Sequence, residues 1–88
     1  MKLIIAIVPD EVADAAVPRL LEAGLRVTRV ASTGGFLRRG NTTLLLGVEP
    51  DKIEQALGLL RSIYRGDITL EAGRGTAFIL DVDRFEQL

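Results

Sequence analysis

"KLIIAIVPDEVADAAVPRLLEAG", residues 2–24, changes its hydrophobic period midway, and that change decides the fold. "KLIIAIV" (2–8) is a continuous, largely β-branched apolar run, which predicts a strand covered on both faces. Beyond Pro9 the apolar residues fall at Val12, Ala16 and Leu20, with Ala13, Val17 and Leu21 beside them. That spacing is a helical stripe. Asp10 is placed to cap its start and Gly24 to end it, while Pro18 inside the pattern predicts a kink or a split last turn.

The same handover from strand to helix recurs. "LRVTRVAS" (25–32) reads as a strand with Arg26, Thr28 and Val30 on one face, and "TTLLLGV" (42–48) as another. A second helix opens with Pro50 near its first position and Asp51 in its first turn. Its apolar face is Ile53, Leu57, Leu60 and Tyr64, flanked by Ala56 and Ile63. "DITLEA" (67–72) reads as a short strand or strand edge, and after "GRG" (73–75) "TAFILDV" (76–82) is a strand. Pro9-Asp10 recurs as Pro50-Asp51, and at the same offset Val12 matches Ile53 and Ala15 matches Ala56. The order β-α-β, β-α-β predicts an α+β, ferredoxin-like domain spanning 1–88. Its antiparallel sheet carries both helices on one face. The opposite sheet face is then bare in a monomer, so a partner must shield its apolar residues and an oligomer is expected.

Composition narrows the function. The chain has 88 residues, 48% of them apolar, no cysteine, no histidine and a net charge of −1. A bulk charge near zero argues against a nucleic-acid polymer as partner. The start, "MKLIIAIVPDEVADAA", mimics a signal peptide, but its apolar run is short and Pro9, Asp10 and Glu11 follow at once. No apolar run approaches the ~20 residues needed to span a bilayer, so no membrane insertion and a cytoplasmic location are expected. Without histidine and cysteine the usual general base, the usual nucleophile–base pairs and most transition-metal sites are missing. Asp81 and Asp83 share a strand face and could hold a cation, although an exposed polar edge is the simpler reading. No catalytic constellation and no metal site are expected, and an enzyme is disfavoured.

The stretch "STGGFLRRGN" (32–41) carries what chemistry there is. Between Glu22 and Glu49 there is no acid, yet Arg26, Arg29, Arg38 and Arg39 fall there. Arginine suits bidentate contact with phosphate or carboxylate, although four solvated or packing arginines are the plain alternative. "GFLRRGNT" (35–42) approaches the phosphate-loop pattern, but Asn41 replaces its lysine and a strand, not a helix, follows. A nucleotide hydrolase is therefore not indicated, while glycine-rich backbone can still offer amides to an anion. Phe36 and Leu37 could sandwich a planar group or plug the core, and Asn41 offers a paired donor and acceptor. Planar surface beside anion-binding groups suggests a nucleotide.

"MKLIIAIV" followed by "RVTRVASTGGFLRRGNTTLLLGV" closely resembles the PII-like cyclic di-AMP receptor family of the DarA/PstA type, and the likeness returns at "GTAFILDVDRFEQL". The resemblance implies a homotrimer with inward-facing sheets, binding cyclic di-AMP or a related adenine nucleotide in clefts between subunits. It implies a sensor that relays ligand level to a downstream protein, not an enzyme, and no cofactor beyond that ligand. Arg26 and Thr28 would contact the ligand from their strand, and Gly35, Phe36 and Leu37 would line the base and phosphate region. Asn41 would hydrogen-bond the ligand and Gly47 would allow close approach. The chain departs from the family pattern at Gly24, where an asparagine is common, at Arg39 and at Arg74. It also replaces a long polar loop by "RGDITLEAGRG". The rival is a structural or adaptor trimer that binds a protein partner without nucleotide.

Overall fold

The structure, a computed structural model, describes residues 1–30, 40–65 and 75–88, and of Arg65 the backbone alone. Strand β1 (Lys2–Pro9) leads into helix α1 (Asp10–Glu22), then strands β2 (Arg26–Val30) and β3 (Asn41–Val48). A 3₁₀ turn at Pro50–Lys52 opens helix α2 (Ile53–Arg65), and β4 (Thr76–Asp81) closes the described fold. The four described strands form one sheet in the order β2-β3-β1-β4. Every neighbouring pair is antiparallel. This is the ferredoxin-like α+β arrangement that the doubled β-α-β order predicts. β1 is paired along both edges, by β3 and β4, but it is not covered on both faces as its continuous apolar run predicts: Ile4, Ala6 and Val8 are buried, whereas Leu3, Ile5 and Ile7 are half-buried on the face that no described element covers. "DITLEA" lies outside the described residues.

The pleat sorts side chains by parity. Ile4, Ala6 and Val8 of β1 and Leu44, Leu46 and Val48 of β3 are buried beneath the helices. Val12, Ala13, Ala16 and Leu20 of α1 and Ala56, Leu60 and Ile63 of α2 close over them. Small alanines on both helices allow close approach, and the two helices pack against each other as well as the sheet. On the other face, Ile5 pairs with Leu45 and Phe78, and Leu3 pairs with Leu80. No described element covers that face, and Phe78 and Leu80 are 54% and 46% exposed.

Several local readings are refined. Asp10 is the first helical residue and Pro9 the N-cap, without a side-chain capping bond. The Asp10 carboxylate instead accepts a 2.6 Å hydrogen bond from the Thr42 hydroxyl, and its backbone N–H donates to the Gly40 carbonyl at 2.8 Å. These bonds tie the start of α1 to the start of β3. Helix α1 continues through Pro18 to Glu22. Pro18 removes a hydrogen bond to the Asp14 carbonyl, but both residues are exposed, where solvent can take its place. Leu21, read beside the apolar stripe, is 55% exposed, while Leu25 just beyond the helix is buried. The buried line of α2 runs through Ala56, Leu60 and Ile63, with Ile53, Leu57 and Tyr64 only half-buried. Its face is turned because it must meet α1 and the sheet together.

Gly24 ends α1 as expected. Its φ is +81°, its N–H donates to the Leu21 carbonyl at 3.0 Å, and the Leu25 N–H donates to Leu20 at 3.0 Å. This pair of bonds is a Schellman motif, satisfying carbonyls that the helix end would otherwise leave open.

Candidate functional site

Alternation along β2 separates its two arginines. Arg29 faces the helices and pairs with Asp14 of α1 at 2.7 Å. Arg26 faces the bare side, where it stands opposite Gly47, with Thr28 opposite Leu45. Of the four arginines in the acid-free stretch, Arg29 is thus a tie between strand and helix. Arg38 and Arg39 lie outside the described residues.

Arg26, Thr28 and Gly47 line one cleft of about 830 Å³ at the end of the sheet where α1 hands over to β2 and β3 to the 3₁₀ turn. Gly24 also lines it, so the helix-ending corner forms part of its rim. Gly47 is not needed for backbone reasons: the only described glycines with positive φ are Gly24 and Gly40. A Cβ at Gly47 would meet only the flexible end of Met1, its Cε at 3.4 Å. Gly47 leaves the cleft side of β3 without a side chain at the position paired with Arg26. Strand interiors disfavour glycine, so the fold gains nothing from it and the cleft does.

Asn41 is not brought to this cleft. It opens β3 opposite Pro9, whereas Gly47 is opposite Leu3. Six residues at roughly 3.4 Å each separate the two by about 20 Å along one strand. Gly35, Phe36 and Leu37 lie outside the described residues, in the segment that leads into Asn41. Of the described residues read as one site, Arg26, Thr28 and Gly47 therefore share the cleft, and Asn41 stands at the other end of β3.

The cleft also takes in residues that sequence reasoning missed. Lys52 and Glu49 come from the turn after β3, and Val82 and Phe85 from the segment after β4. Lys52 was hidden because turn positions carry no period. Phe85 was signalled by an aromatic set between charges in "DRFEQ" and outside any strand pattern.

The other candidates resolve simply. Asp81 accepts a hydrogen bond from Lys2, and that bond, reinforced by the ion pair between them, holds its carboxyl below the usual carboxylate range. Among the described residues no three His, Cys, Asp or Glu side chains gather as a metal site would need. A smaller cleft of about 280 Å³ lies under α2 and is lined by Ala6, Val8, Leu60, Tyr64 and Ile79 among others. Among the described residues the buried Tyr64 hydroxyl finds no well-formed hydrogen bond. Burial pushes its pKa above the ordinary tyrosine value, with the Gly75 backbone partly opposing the rise. Among the described residues no helix is long and apolar enough to cross a membrane.

Comparison with known proteins gives this geometry its context. A crystal structure of a functionally unknown protein from Pediococcus pentosaceus ATCC 25745 matches with a TM-score of 0.79 and 32% sequence identity. The match covers 99% of this chain and 96% of that one. The model of a family described as the cyclic-di-AMP receptor matches residues 1–65. That span holds β1 through α2, the "STGGFLRRGN" segment, and each of Arg26, Thr28, Asn41 and Gly47. The match bears out the resemblance read from the sequence, and the chain belongs to the cyclic-di-AMP receptor family.

Proposed function

We propose that this protein is a PII-like homotrimeric sensor, cytoplasmic, that binds cyclic di-AMP in clefts between subunits and relays its level to a downstream protein. The observation that carries the reading is the division of the site. Arg26, Thr28 and Gly47 share one cleft, while Asn41 stands about 20 Å away on the same strand at ordinary strand rise. One ligand is reached by both groups when the second comes from a neighbouring chain. The bare sheet face, with Ile5, Leu45 and Phe78 in one row, supplies a reason for chains to associate.

In this reading Arg26 meets a phosphate through a charge-assisted bond, Thr28 adds a hydroxyl, and Gly47 lets the ring of the ligand approach the strand. Gly35, Phe36 and Leu37 of the adjacent subunit line the base and phosphate region, and its Asn41 hydrogen-bonds the ligand. Ligand binding changes the surface offered to the downstream partner. The chain acts as a receptor, with no bond made or broken.

The test is calorimetric titration with cyclic di-AMP, together with the solution mass. Arg26→Ala and Asn41→Ala each lower affinity about ten- to a hundredfold, the loss expected for a charged or buried hydrogen bond. Mixing the two single variants under exchange restores roughly a quarter of the clefts by random association. A monomer, or no recovery on mixing, defeats the shared-site reading.

A further inference from the structure

Phe85 is a large apolar side chain left 62% exposed, and it lines the Arg26–Gly47 cleft. An exposed phenyl ring forgoes the burial that drives folding, so its position calls for something to cover it. The segment that carries the ring is anchored where it begins. β4 stops at Asp81, and the next residue, Val82, donates its N–H to the Met1 carbonyl at 3.2 Å. Val82 lines the cleft as well. Arg84 and Glu86 pair with each other at 3.2 Å on either side of Phe85 in sequence. Among the described residues lining the cleft, Phe85 is the only aromatic.

The same lining holds Arg26 and Lys52, two cations suited to phosphate, and Glu49, which disfavours it locally. A cleft with cations, one aromatic face and a hydroxyl matches a nucleotide part by part. We propose that Phe85 is the surface on which one purine ring of the ligand stacks, at the edge of the cleft that Arg26 and Gly47 open. This rests on the cyclic di-AMP reading of the cleft. An adjacent subunit is the competing cover for Phe85. Against it, Phe85 lies beyond β4, off the strand rows of the bare face, and among charged groups.

The experiment uses the whole chain, which contains no tryptophan, so Phe85→Trp introduces a single indole that can be excited apart from Tyr64. Phe85→Trp binds cyclic di-AMP with affinity close to wild type, and its emission is quenched saturably as the indole stacks. Phe85→Leu keeps its solution mass and melting temperature but binds about ten- to a hundredfold more weakly, the effect of losing one base–aromatic stack. Wild-type affinity in Phe85→Leu overturns the inference and leaves the cleft reading standing. Loss of the oligomer in Phe85→Leu also overturns it, because the ring is then a subunit contact. If the wild-type protein itself does not bind cyclic di-AMP, the inference falls together with the reading beneath it.

Discussion

Replacing Gly47 by valine sets stability against binding. Gly47 lies inside β3, between Leu3 of β1 and Arg26 of β2. Its φ is not in the left-handed region, and an added Cβ meets only the Met1 thioether, Cε at 3.4 Å and Sδ at 3.9 Å. That side chain is exposed and flexible, so it yields. Removing glycine's excess unfolded-state freedom and adding a β-branched strand residue stabilises the fold by about 0.5–1 kcal/mol. For a domain of this size each kcal/mol moves the melting temperature by about 4–8 °C, so Gly47→Val melts about 2–8 °C higher. The same methyl groups stand in the cleft beside Arg26 and crowd a ligand at a cost of about 1–3 kcal/mol. Calorimetry with cyclic di-AMP should then show about five- to 150-fold weaker binding in the more stable variant. Unchanged affinity would mean that the ligand does not approach β3 at Gly47. A lowered melting temperature would mean that the glycine is held by packing, and the argument from open space would fail.

Three further outcomes follow from other parts of the fold. Gly24→Ala puts a Cβ on a backbone with φ +81°, in open space, so it loses about 1 kcal/mol by strain alone and melts several degrees lower. Chemical denaturation of that variant should show an unchanged m-value. Thr42→Val removes the 2.6 Å donor to Asp10 at a position 4% exposed, and destabilises by about 1–3 kcal/mol in urea titration. A neutral result there would show that water replaces the hydroxyl. Tyr64 has a raised folded pKa, so its contribution is complete below the ordinary value near 10 and is lost as pH rises through the folded value. Melting curves across alkaline pH should fall in wild type and fall less in Tyr64→Phe.

Most of the fold was legible because its core obeys two periods. The Val12–Ala16–Leu20 stripe of α1 matches burial in the structure, and "KLIIAIV" and "TTLLLGV" are strands as read, although which of their faces is buried shows only once the helices are in place. What was less legible depends on contacts distant in sequence. Asp10 looks like a cap from its neighbours alone, but Thr42, brought across by β3, competes for its carboxylate and wins. The turned face of α2 likewise depends on where α1 lies, which no local pattern encodes. For the site, strand alternation correctly put Arg26 and Thr28 on one face. It could not show that Arg29 is engaged by Asp14, whereas the separation of Asn41 from Gly47 already follows from strand rise along the 42–48 run. Lys52 and Phe85 enter the cleft from irregular segments, where periodicity has nothing to say.

Gly24 serves the Schellman ending of α1 and the rim of the cleft at once. A left-handed backbone admits few residue types at little strain, chiefly glycine and asparagine, with aspartate behind them. Evolution can therefore explore the ligand at this corner only through a very short alphabet. Within it, exchange between asparagine and glycine adds or deletes a hydrogen-bonding amide without rebuilding the helix end. A lineage can thus retune what its receptor recognises in a single substitution, and return by the same route.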